Sequence, residues 1–186
     1  HLIGHDWGAV VGWSAVLSNP SRITSWTALS FPHPAAFGTA LLDDPDQQDR
    51  SSYVAFFQTP WLPETVFSFN NFSVLKTLLE GMSDEKMKEY IDVFSEPGAL
   101  TSALNWYRAL GDNGLSNLDS VDSLEVKTST LFLWGNRDPS VGKVAVDGMA
   151  EFMKGPYTNI ELEAGHWLFV DKPERIISEI LIHIDQ

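Results

Sequence analysis

The sequence predicts an α/β fold: a mostly parallel sheet flanked by helices and interrupted by a long helical insertion. Three observations carry this prediction. Short β-branched and apolar runs alternate with helix-period segments at both ends of the chain, the arrangement that parallel strand–helix–strand units require. Between about residues 35 and 120 the strand-like runs stop and helical, aromatic-rich segments replace them. The strand pattern then returns near residue 130.

Taken in order, His1-Leu2-Ile3 reads as the stub of a buried strand. Gly4-His5-Asp6-Trp7-Gly8 reads as a sharp strand-to-helix turn, and residues 9–17 as the helix leaving it. A Gly-x-Asp-x-Gly turn exposes its central side chain, and small residues on either side let strand and helix approach closely around strained backbone. Asp6 would then stand above the sheet at the positive end of a helix, which favours its ionised form. A helix-capping aspartate between two loop glycines is the plainer alternative that five residues leave open.

Asn19-Pro20-Ser21 breaks the first helix, residues 23–29 form a second strand, and Ser30-Phe31-Pro32-His33-Pro34 turns the chain off the sheet. The insertion predicts a helix over residues 51–58, one or two over 64–79, and one opening at Ser83 with an N-cap and an acidic first turn. A further helix after Pro97-Gly98 carries residues 104–108. Phe56, Phe57, Trp61, Phe67, Phe69, Phe72, Phe94 and Trp106 suit a lid with an apolar underside, although packing the insert's own core is the commoner use of each ring. The acidic stretch 118–123 reads as the return linker. A strand over 130–135, a helix over about 143–154, a strand over 159–163 and a final helix from Pro173 to about Ile184 complete the chain. The expected division is a core of residues 1–34 and 121–186 and a helical cap of residues 35–120.

Of the 186 residues, 44% are hydrophobic and 20% charged, a globular composition without a run long enough to span a membrane. A formal net charge of −13 opposes nucleic acid and anionic membranes as partners, favours a neutral substrate, and leaves a homodimer open. The lack of cysteine excludes disulfides and thiolate chemistry, and a cytoplasmic setting is the default expectation.

Asp6, Asp138 and His166 each fall just past the carboxyl end of a predicted strand, where open parallel sheets place their sites. Taken singly, Asp138 is an ordinary turn aspartate before Pro139 and His166 an ordinary strand-end histidine. In the order nucleophile, acid, histidine, the chain resembles the α/β-hydrolase superfamily, in its aspartate-nucleophile branch and over essentially its whole length. That resemblance implies an α/β-hydrolase fold with an inserted α-helical cap. A carboxylate with a solution pKa near ~3.9 is ionised at neutral pH and can displace a group at saturated carbon, leaving an alkyl ester. His166, oriented by Asp138, would then activate water to hydrolyse that ester.

Haloalkane dehalogenases and epoxide hydrolases both look like this. The stretches Ser52-Tyr53-Val54-Ala55-Phe56-Phe57-Gln58 and Ala103-Leu104-Asn105-Trp106-Tyr107-Arg108, with Pro32-His33-Pro34, are similar to epoxide hydrolases. The resemblance implies that Tyr53 and Tyr107 bind and protonate an epoxide oxygen, and that Trp7 lines the pocket and lends a backbone N–H to the oxyanion. Amphipathic packing is the tyrosines' ordinary alternative. Tyr90, Tyr157, His5 and His33 read as structural, and His183 as exposed on the terminal helix. The expected activity is opening of a small or medium apolar epoxide to a vicinal diol without metal or organic cofactor. The alternatives are a haloalkane dehalogenase and an inactive binding protein that retains the lid pocket. One departure stands out: the family's first strands, and the His-Gly-x-Pro-type loop completing its oxyanion hole, normally precede the nucleophile. The chain therefore resembles the C-terminal part of such a hydrolase with the N-terminal strands missing. The expectation is an exposed edge at the nucleophile strand, a marginal fold, and turnover that is slow or absent.

Overall fold

The computed structural model describes residues 1–79, 82–110 and 123–186. Among these, strands β1 (Leu2–His5), β2 (Ser25–Leu29), β3 (Ser129–Gly135) and β4 (Tyr157–Leu162) pair in parallel in the order β1-β2-β3-β4. The helices in chain order are α1 (Trp7–Ser18), α2 (Pro34–Asp43), α3 (Pro45–Arg50), α4 (Tyr53–Gln58), α5 (Leu62–Leu78), α6 (Asp84–Ser95), α7 (Ala99–Arg108), α8 (Lys143–Asp147), α9 (Leu168–Asp171) and α10 (Pro173–Ile184). Two compact units result: His1–Ser51 with the described part of Leu115–Gln186, and the described part of Ser52–Gly114.

In the first unit the two-residue period of β3 separates two cores. Phe132 and Trp134 join Trp26, Ala28, Trp13, Phe37, Ala145 and Met149 in a cluster with α1, α2 and α8. Leu131 and Leu133 join Leu29, Ala164, Leu168 and Ile176 in a cluster with α9 and α10. All five residues of β2 are buried, as a parallel strand covered on both faces requires. Burial of each large side chain contributes roughly 1.5–3 kcal/mol. A Cβ at Gly12 would collide with the ring of Trp26, so glycine there sets how closely α1 lies on the sheet.

Residues 35–51, read from sequence as part of the cap, cluster with this first unit. The reason lies in α3. Gln47 is fully buried, donating from Nε2 to the Ser140 carbonyl (2.9 Å) and accepting from the Gly142 N–H (2.8 Å), while Arg50 donates to the Asp138 carbonyl. His183 is another correction: it is buried, and its Nε2 donates to the Trp26 carbonyl at 3.2 Å. It shares the inward stripe of α10 with Ile176 and Ile180. The helix expected over 143–154 ends at Asp147 and gives way to a 3₁₀ turn, Gly148–Glu151, where glycine weakens the α-helix. The return-linker residues 118–122 lie outside the described residues.

The second unit has its own core of Phe67, Leu75, Leu79, Ile91 and Leu104, against which Phe56, Phe57, Phe72 and Phe94 pack. The remaining rings of the aromatic set, Trp61, Phe69 and Trp106, are exposed. Ser83 caps α6 by accepting from the Lys86 N–H at 3.3 Å. Asn70 and Asn71 adopt left-handed backbone and kink α5, a conformation that asparagine tolerates better than most residues. Arg108 binds Glu64 through two N–H···O bonds of 2.7 and 2.8 Å, tying α7 to α5.

Candidate active site

Asp6 is the single residue between β1 and α1, with φ 52° and ψ −119°. Such backbone is costly for a residue bearing a Cβ, of order 1–3 kcal/mol, and persists only where its surroundings impose it. Three main-chain hydrogen bonds do so. The Asp6 N–H donates to the Leu29 carbonyl (3.3 Å), and the Asp6 carbonyl accepts from Ala9 (2.9 Å) and Val10 (3.0 Å). A Cβ at Gly4 would collide with the Gly8 carbonyl, so Gly4 is required for the close approach of strand and helix. Gly8 has open space around its own Cα, so only the first of the two glycines meets the steric demand read from the motif.

Asp138 follows β3 and is fully buried. Its Oδ1 accepts from the backbone N–H groups of Ser140 (2.8 Å) and Val141 (3.3 Å), leaving Oδ2 for the Nδ1–H of His166 at 2.9 Å. His166 lies in the loop between β4 and α9. That loop is seated over Gly135, where a Cβ would collide with the carbonyls of Ala164 and Gly165. The loop is held further by the Arg137 N–H on the Ala164 carbonyl (3.0 Å) and by the Gly165 N–H on the Asp171 carboxylate (2.7 Å). The far ring nitrogen, Nε2, stands 3.2 Å from Asp6 Oδ1. The His166 carbonyl accepts from two side chains, His5 Nε2 at 2.9 Å and Ser30 Oγ at 3.0 Å. Ser30 carries no local sequence signal beyond its place between a strand-like run and Pro32.

The trio is electrostatically coupled. Burial alone would lower the pKa of His166, but its hydrogen bonds to Asp138 and Asp6, with their charges, outweigh burial and raise it to about 10. For Asp6, burial works to raise the pKa. The His166 hydrogen bond and charge and the Trp7 backbone N–H prevail and hold it below the ordinary carboxylate range. The resting arrangement is therefore an ionised Asp6 against an imidazolium. Because the folded pKa of His166 exceeds its ordinary 6.5, the stability this group contributes is complete below about pH 6.5 and is lost as pH rises towards about 10. Replacing Asp6 by Asn should lower the His166 pKa, read from its imidazole resonances in an NMR titration. An unchanged titration would mean that Asp6 does not share the proton.

Tyr53 and Tyr107 meet inside the second unit, their rings 6.0 Å apart at 77°, with Phe57 edge-on to both. Both are half-buried, and Gln58 Nε2 joins their helices by donating to the Tyr107 carbonyl at 3.1 Å. Trp7 opens α1 and is half-buried. His33 is structural: its Nδ1 accepts from the Ala35 N–H, its ring stacks on Phe152 at 4.4 Å, and burial lowers its pKa to about 4. Burial also pushes Tyr157 up to about 12. An open cavity of about 390 Å³, lined by His1, Leu2, Ala15, Asn19, Arg22 and Ile23, lies at the other end of β1 from Asp6 and takes no part in the trio. Among the described residues no cluster of histidine and carboxylate side chains is arranged to hold a metal ion, and no helix is long and apolar enough to cross a membrane.

Residues 1–173 match the family described as the alpha/beta hydrolase fold. Human epoxide hydrolase 4 is 36% identical over 192 residues, an alignment covering 97% of this chain and 51% of the relative. The AB hydrolase superfamily protein YfhM of Bacillus subtilis is 31% identical over 189 residues, covering 97% of this chain and 64% of the relative. A point variant of an epoxide hydrolase from Bacillus megaterium superposes with a TM-score of 0.86 at 24% identity, covering 99% of this chain and 68% of that one, a likeness of fold. The chain spans about half the length of human epoxide hydrolase 4.

Proposed function

The chain belongs to the α/β-hydrolase fold family, and from that premise we propose that it acts as an epoxide hydrolase, opening a small or medium apolar epoxide to a vicinal diol through an ester on Asp6. The observation that carries this reading is one imidazole shared between two carboxylates, Asp6 at 3.2 Å and the buried Asp138 at 2.9 Å. The curated relatives that carry the name epoxide hydrolase support it.

The ionised Asp6 attacks an epoxide carbon. As the carbon–oxygen bond breaks, the departing oxygen takes a proton supplied by Tyr53 and Tyr107. The product is a hydroxyalkyl ester of Asp6, and the negative charge that Asp6 held against His166 is gone. One of the two carboxylates that raise the His166 pKa is thereby removed, so the imidazolium gives up its proton, which restores through solvent the hydroxyl that ring opening deprotonated, and the imidazole is left neutral and basic. His166 then takes a proton from water and the hydroxide adds to the ester carbonyl, whose developing oxyanion meets the Trp7 N–H. Collapse releases the diol as its alkoxide is protonated by His166, and the carboxylic acid left on Asp6 returns its proton to the imidazole, restoring the ionised Asp6 against the imidazolium. The formed imidazolium is stabilised by Asp138, which is already fixed by two backbone N–H groups and requires no rearrangement.

Parallel assays with styrene oxide and a bromoalkane, measuring diol and bromide separately, test this reading. Diol without bromide is expected. Bromide without diol would replace it with a dehalogenase, and substrate binding with neither product would replace it with a binding protein.

A further inference from the structure

The geometry points to His5 and Ser30 as positioning residues that clamp the main chain of His166 and so set the distance between its imidazole and Asp6. This role rests on the hydrolytic reading above. The hydrogen bond from Nδ1 to Asp138 fixes one point of the ring, and the contacts that hold Ala164 and Gly165 stop short of the main chain of His166 itself. The His166 carbonyl supplies the second point. It accepts two side-chain donors, His5 Nε2 at 2.9 Å and Ser30 Oγ at 3.0 Å, which together fill both of its lone pairs.

Neither donor is free to move. His5 closes β1 opposite Leu29, and its ring packs at 4.8 Å from His166, 5.3 Å from Trp167 and edge-on to Phe169 at 5.0 Å. Ser30 is fully buried and held at φ 65°, while its N–H donates to the Leu133 carbonyl at 2.9 Å. Left-handed backbone at a buried non-glycine residue is strained and is retained where the surrounding contacts demand it. The β4–α9 loop is thus pinned from β1 and β2 through the clamp and from β3 through Gly135 and Arg137. His5 is also the chain neighbour of the nucleophile, so the same residue that ends the Asp6 strand sets where the base's main chain lies. To donate from Nε2 His5 needs only its neutral form, which its surroundings favour. Burial and the His166 charge lower its pKa, outweighing the His166 carbonyl and the Asp6 and Asp138 charges.

The test follows the His166 imidazole by NMR in protein carrying nitrogen-15 histidine, comparing the unaltered chain with His5→Ala, Ser30→Ala and His5→Gln, each checked for a cooperative thermal melt. With the clamp broken the ring drifts from Asp6. The His166 titration should then fall from about 10 by something like one unit in both alanine variants. His5→Gln, whose amide N–H has similar reach, should restore it. In kinetics, breakdown of the Asp6 ester should slow by something like 10²-fold, the scale of a small misplacement, with ester formation unchanged. An unchanged titration in a folded alanine variant would overturn the clamp, and should His5→Ala fail to fold, Ser30→Ala and His5→Gln decide. The titration needs no turnover, so a protein inert towards epoxides would defeat the proposed function and leave this result standing.

Discussion

The His166→Gln protein, mixed with styrene oxide, should gain the mass of one substrate and keep it. The split of labour at the site leads to this result. Asp6 is held ionised, its solution pKa of ~3.9 already lies well below neutrality, and its attack on carbon needs no base. The second step does need one, because water must lose a proton to reach the ester carbonyl, and a positioned base contributes something like 10²- to 10⁴-fold. Glutamine is the better replacement for a structural reason. Asp138 is fully buried, and removing the donor to its Oδ2 without a substitute would leave an unpaired carboxylate oxygen. A glutamine amide can still donate there, while Oδ1 keeps its bonds from Ser140 and Val141. Intact-protein mass spectrometry and mapping to the peptide containing Asp6 read the result. A folded variant that forms no adduct, or that turns over at the unaltered rate, would remove His166 from the role of base.

Removing the hydroxyls of Tyr53 and Tyr107 should abolish epoxide opening while sparing the fold. An opening epoxide develops an alkoxide, a strong base that a hydroxyl of pKa about 10 can protonate as the bond breaks. Loss of one donor to a charge that develops in the transition state costs something like 10²-fold in turnover, and two donors to the same oxygen partly cover for one another. Tyr53→Phe and Tyr107→Phe should each be damaging and the double variant inert. Both rings sit among Phe57 and one another, with centroid distances of 4.8 to 6.0 Å, so phenylalanine keeps the packing. Steady-state diol formation, with thermal melts as a control, measures the effect. A double variant that opens epoxides at an undiminished rate would exclude the tyrosines and favour the dehalogenase reading.

The part of this molecule that could be read in advance is the part with a local signature. The final helix runs Pro173–Ile184 as expected because proline marks its first turn and its apolar stripe has a clear period. The trio was legible for a similar reason: each member lies one to four residues beyond a recognisable strand. His183 belongs to the same stripe as Ile176 and Ile180, spaced seven and three residues from them, so period outranks polarity as a guide to its burial. Gln47 gives no such hint. It sits in the polar run Pro45-Asp46-Gln47-Gln48-Asp49-Arg50, and its burial depends on a carbonyl and an N–H 93 and 95 residues away. The Ser30 bond to His166 spans 136 residues and ends on a backbone oxygen, an acceptor that every residue carries and no residue type announces. The short α9 and the break of the helix at Gly148 escape because each is shorter than the period needed to see it.

A single turnover in heavy-oxygen water tests the ester on Asp6 most directly. With protein in excess over epoxide, the diol should leave carrying an oxygen that came from Asp6, and the label should appear in the peptide containing Asp6. Label entering the first diol directly, with none in that peptide, would show that water attacks the epoxide itself and would contradict the covalent route.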